Sequence, residues 1–242
     1  CYEKGQVKST YGTGCFALMN TGQDCVLSKN RLLSTTAWRI NGQTTYAVEG
    51  SIFVAGAAVQ FLRDNLKLFD AAEKSEAIAT SIDDTDGVVF VPAFTGLGAP
   101  YWDPNARGAV LGLSRGTTDA HITRAVLEAQ AYQTRDLIAA MEGDASTTIE
   151  TIRVDGGLVA NNFVCQQLAN QTSATIDRPV NQEATVWGAA AMAFLQAGVF
   201  KSFDDVRAVY QLNRQFIPNG EKDKNDRLYT RWQKAISVVQ QF

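Results

Sequence analysis

Two glycine-bearing turns hold the residues of this sequence with the clearest chemistry. The first is Thr10-Tyr11-Gly12-Thr13-Gly14-Cys15. Its glycines allow a phosphate close to the backbone, and the Thr13 hydroxyl can donate to a phosphoryl oxygen. A hairpin turn with no ligand is the plain alternative. The second is Val154-Asp155-Gly156-Gly157-Leu158-Val159-Ala160-Asn161-Asn162. Here a β-branched stretch, Thr151 to Val154, runs into two glycines, and an amphipathic helix is expected from Ala160. Paired glycines remove two Cβ atoms where the chain turns sharply or lets a flat ligand lie against it. Free N–H groups at the helix start then favour an anion or an acceptor-rich ring. Two separated glycine turns on an α/β pattern suggest a nucleotide gripped from two sides.

Other candidates are weighed against ordinary structural roles. Gly56 and Gln60 fall on one face of an expected helix. A glycine within a helix costs up to about 1 kcal/mol against alanine, so close packing or an adjacent ligand must account for Gly56. Asp155 either orients a magnesium-bound water or satisfies turn amides. The run Thr95 to Pro104 lacks the third glycine and the helix of a dinucleotide fingerprint, and no G-x-x-x-x-G-K-[S/T] occurs. Asp103 within it reads as a turn residue, and His121, at a helix start, reads as a surface residue.

The elements that must position these residues follow from periodicity. Residues 7–19 and 32–48 read as β, with turn signals at Asn20-Thr21-Gly22 and Asn41-Gly42. From Ser51 to Lys67 apolar residues recur at helical spacing, and a short helix follows around Ser75 to Ile82. Val88 to Val91 is a buried-strand run, and Ala93 to Arg115 reads as a long irregular loop. Thr117-Thr118-Asp119 caps a helix to about Met141. Beyond the Asp155 strand come a helix to about Thr172, a strand at Ala174 to Asp177 and a helix from Ala184 to Ala197. Two polar-faced helices, near Phe203 to Leu212 and Asn225 to Val239, close the chain. This order implies a mixed sheet with helices on its faces.

Composition bounds the function. A chain of 242 residues can bury roughly 70–75% of its unfolded surface. The net charge of −3 gives no basic field for nucleic acid or anionic lipid. Four cysteines without C-x-x-C spacing, and one histidine, argue against zinc and fit free thiols in a reducing cytoplasm. The sequon Asn170-Gln171-Thr172 falls in an amphipathic helix, with no secretion signal and no membrane-spanning run. The first residue is Cys1 rather than methionine, so the chain is expected to be part of a longer protein.

Taken together, four blocks resemble the carboxy-terminal half of the glycerol kinases, within the carbohydrate kinase family of actin-like ATPase fold. They are Thr10 to Phe16, Val91 to Pro104, Gly108 to Glu128 and Asp155 to Asn162. The resemblance covers nearly all of the chain. It implies an α/β domain of the ribonuclease H-like kind over residues 1–242, the nucleotide-binding half of a two-domain kinase. It further implies ATP and Mg²⁺, glycerol as acceptor, a cytoplasmic setting and a homo-oligomer at full length. By the family's pattern Thr13 would contact the ATP phosphates, Gly56 and Gln60 would lie along the nucleotide, and Gly157 and Asn161 would hold the adenosine. Phe16 matches the position that packs on the carbon backbone of glycerol. The family's other phosphate loop, polyol-binding side chains and aspartate base lie upstream of Cys1. Some bacterial members meet a sugar-transport regulatory protein near Phe216 to Tyr229, but the match there is poor and that partner is not carried over. A kinase for another polyol or a ketose, or a non-catalytic actin-like nucleotide-binding module, are the competing readings.

Overall fold

A computed structural model describes residues 1–242. Its centre is a seven-stranded mixed sheet. Four strands come first in the chain: β1 (Val7–Tyr11), β2 (Cys15–Gly22), β3 (Leu33–Ile40) and β4 (Gln43–Ile52). They pair antiparallel in the order β3-β4-β2-β1. β7 (Thr151–Asp155) and β8 (Thr175–Pro179) then continue the sheet in parallel beside β1, and β9 (Leu212–Phe216) closes it antiparallel to β8. A separate ribbon pairs β5 (Val89–Val91) with β6 (Ala109–Leu111).

The period-2 burial of β1 explains the layering. Val7, Ser9 and Tyr11 are buried, whereas Lys8 and Thr10 point to the opposite face and are half-buried. The buried face meets α3 (Asp119–Ala145), and Tyr11 OH lies 2.7 Å from the Thr134 hydroxyl of that helix. Around α3 pack α1 (Gly56–Asp64), α2 (Lys74–Thr80) and α4 (Asn162–Thr172), closing the main apolar core. A smaller cluster joins α7 (Lys222–Val239) to the β5–β6 ribbon and centres on Trp232. The second sheet face is covered less completely. A groove of about 450 Å³ separates it from α5 (Ala184–Gln196) and α6 (Phe203–Ala208). The most apolar of these helices, α5, buries only Ala191 and leaves Val186 and Phe194 exposed.

Several expectations change. Asn41-Gly42 is the hairpin turn anticipated, with both residues at positive φ. Asn20-Thr21-Gly22 is instead the irregular end of β2, shifted in register against β4. Ser51 and Ile52 belong to β4, so the helix expected from Ser51 starts at Gly56. The apolar run is continuous across that junction, which disguised it. The stretch Ala93 to Arg115 contains β6, and Leu97 bridges to Asp103. A 3₁₀ turn, Gly157–Ala160, precedes α4, and residues 212–216, expected at the end of a helix and beyond it, form β9. Asn170 is buried, as a structural residue of α4 would be.

Candidate functional site

The turn between β1 and β2 is fastened by backbone alone. Gly12 O accepts the Gly56 N–H at 2.9 Å, and Thr13 O accepts those of Ala55 and Ala57 at 2.8 and 3.1 Å. The start of α1 is therefore seated on the glycine turn. A Cβ at Gly56 would lie 2.6 Å from Gly12 O, and one at Gly14 would lie 2.6 Å from Ile52 O. Gly56 is the first residue of α1 rather than an interior one, so close packing is what demands glycine there.

The second turn meets the first at its base. Gly156 has φ +94°, and a Cβ there would lie 2.5 Å from Tyr11 O. The next residue differs: a Cβ on Gly157 would meet nothing within 4 Å. Asn161 caps α4, its side-chain oxygen accepting the Val164 N–H at 3.0 Å. Glu76 accepts the Asn162 N–H at 2.9 Å. The Asn162 and Val164 amides at the start of α4 are thus met by side chains rather than left for a ligand.

Thr13, Gly56, Gln60, Gly157 and Asn161 all border one cleft of about 390 Å³. Three segments that lie far apart in sequence converge there. Its wall also takes in Arg63 of α1, Ala72 and Glu73 just before α2, and Ser75 and Glu76 within that helix. Local sequence carries no signal for the α2 contribution, because it arises from contacts 86 residues away in sequence, such as Asn161 Nδ2 donating to Ser75 Oγ at 3.3 Å. Phe16 stands apart from this cleft. It pairs with Thr10 on the second sheet face and is 51% exposed.

Asp155 does not satisfy turn amides. Its carboxylate accepts the Thr10 hydroxyl at 2.5 Å and lies 3.8 Å from Lys8 Nζ, and the residue is buried. No group of three or more His, Cys, Asp or Glu side chains is spaced to hold a metal ion. Asp155 is instead engaged by Thr10 and Lys8, and magnesium at kinase sites rests chiefly on substrate phosphates and water. Asp103 accepts the Asn105 and Ala106 N–H groups and so holds its turn, and His121 Nδ1 accepts the Thr118 N–H at 3.1 Å, capping α3. All four cysteines are free. Burial pushes the thiols of Cys15 and Cys165 up to about 12, which leaves both in the unreactive protonated form.

Comparison with known proteins places this chain among carbohydrate kinases. The family described as "FGGY family of carbohydrate kinases, C-terminal domain" matches residues 7–197. A glycerol kinase of a Geobacillus strain is 52% identical over the whole chain, which spans 49% of that protein. A glycerol kinase of Rhodospirillum rubrum is 53% identical over 99% of the chain and 48% of its own length. The crystal structure of Plasmodium falciparum glycerol kinase with ADP superposes with a TM-score of 0.91 at 33% identity, over 98% of this chain and 48% of that one. The chain therefore spans about half the length of the relatives it matches.

Proposed function

Because the chain belongs to the FGGY family of carbohydrate kinases, as its C-terminal domain, we propose that it is the ATP-binding half of an enzyme converting glycerol to glycerol 3-phosphate. The convergence of Thr13, Gly56, Gln60, Gly157 and Asn161 on one cleft carries this reading. In it the nucleotide lies along α1, with adenosine against Gly157 and Asn161 and the phosphates running to Thr13. The acceptor approaches from the second sheet face, where Phe16 stands. The chain works as a single unit in a cytoplasmic homo-oligomer.

Phosphoryl transfer needs positioning and charge neutralisation more than covalent help from the protein. The glycerol hydroxyl attacks the γ-phosphorus, the bond to the bridging oxygen breaks, and ADP leaves. Thr13 holds the phosphates by hydroxyl donation, and the two turns fix the ends of the nucleotide. Mg²⁺ would neutralise phosphate charge, held chiefly by the phosphates and water, and no step is assigned to it. The general base is expected outside these residues.

Thermal melting with and without ADP tests the reading. Ligand at one hundred times its Kd adds roughly 2.7 kcal/mol, several degrees for a protein of this size. A folded chain whose melting temperature ignores both ATP and ADP would refute it. Glycerol phosphorylation by the chain alone, above a mock-purified control, would refute the division of labour.

A further inference from the structure

We infer that Glu76, Asn162 and Arg178 form a polar bridge that positions the adenosine-side lip of the cleft. The inference rests on the nucleotide reading above and names residues which that reading does not use. Asn162 is the middle member. Its side-chain N–H donates to Glu76 Oε1 at 3.0 Å and its backbone N–H to Glu76 Oε2 at 2.9 Å, so both carboxylate oxygens are committed to one residue. Its side-chain oxygen accepts from Arg178 at 3.1 Å, with Arg214 at 3.4 Å. The bridge therefore runs from an anion on α2, through an amide, to a cation on β8.

Arg178 is the anchor. Only 8% of its surface is exposed, and no carboxylate pairs with it. Its guanidinium instead donates to Val159 O at 2.8 Å, to Ala160 O at 3.3 Å and to Asn213 Oδ1 at 3.0 Å. Burying a cation is costly unless its donors are met. Here they are met by the last carbonyls of the 3₁₀ turn that begins at Gly157. The lip is consequently held from both ends: carbonyls of residues 159 and 160 by Arg178, amide of residue 162 by Glu76. Asn161, between them, faces the cleft. Asn162 and Arg178 do not border the cleft, and Glu76, which does, has both carboxylate oxygens turned to Asn162; together they set where Gly157 and Asn161 stand. A carboxylate at the first amide of α4 also complements that helix's dipole.

The bridge has a direction, which permits a swap. In Glu76→Gln the new amide N–H faces the Asn162 amide N–H, and one bond is lost. In Asn162→Asp a carboxylate faces Glu76. Combining the two restores donor against acceptor with polarity reversed, and the carboxylate introduced by Asn162→Asp still accepts from Arg178. ADP affinity and amide hydrogen exchange over residues 157–162 are measured on the chain for the wild type, both single variants and the double. Each single variant is expected to weaken ADP binding about tenfold, one lost charge-assisted bond, and to speed exchange across the lip; the double recovers most of both. Single variants with wild-type affinity and lip exchange, or a double no better than the worse single, would overturn the inference. A folded double variant shows that loss in the singles is not misfolding. A wild-type chain that takes no ADP would instead sink the nucleotide reading, while the exchange data alone decide whether the bridge holds the lip.

Discussion

Adjacent glycines can be required for unrelated reasons, and Gly156 and Gly157 separate them. Gly156 serves the fold: its positive φ and the 2.5 Å approach to Tyr11 O leave no place for a side chain. Gly156→Ala is expected to cost at least about 2 kcal/mol, read as a fall in denaturant midpoint. Gly157 has open space around it yet borders the cleft. Gly157→Ala should leave stability within about 0.5 kcal/mol of wild type and weaken ADP binding about tenfold or more, read by titration. Equal loss of stability in both variants would contradict this division. The doublet itself was visible in the sequence, and so was its partner turn. What each glycine does was not, because that depends on Tyr11, which lies far earlier in the chain than Gly156 and beside it only after folding. Glu76 was hidden for the same reason, and Arg178 lies just past the strand expected at Ala174 to Asp177, so its place in β8 and its burial emerge only in the fold.

At the level of elements, hydrophobic period and turn chemistry located most helices and strands. They failed where neither operates. β9, Leu212-Asn213-Arg214-Gln215-Phe216, is an edge strand with four of five residues exposed, so it shows no apolar alternation. β6 is three residues long and borrows its order from β5. Joints between helices rest on polar groups that pattern cannot reveal. Asp136 of α3 is buried and accepts from Tyr229 OH and, at 3.0 Å, from Trp232 Nε1 of α7. Burial raises its carboxyl to about 6, against the opposing pull of hydrogen bonds from Tyr229, Trp232 and Tyr101. A carboxyl raised in the fold binds its proton more tightly there than when unfolded. Its stabilising share is complete below pH 3.8 and is lost as pH rises through about 6. The stability of wild type relative to Asp136→Asn should accordingly fall between pH 4 and pH 6, by on the order of 2 kcal/mol, in urea melts at each pH. A difference that is flat or rises across that window would contradict the burial argument.

For the whole molecule, the sheet order places β1 at the centre, with β2 antiparallel on one side and β7 parallel on the other. That single arrangement brings both glycine turns to one end of the sheet. It was legible as a class of fold, since strands without helices precede strands alternating with them. The second face was not legible: nothing local shows that the most apolar helix would be left largely bare. That helix sets the colloidal behaviour of the isolated chain. Val186 and Phe194 meet water, and a hydrocarbon surface of this kind lowers its free energy by finding another like itself. Light scattering should report mass rising reversibly with protein concentration, and Val186→Glu with Phe194→Glu should return the particles to single chains.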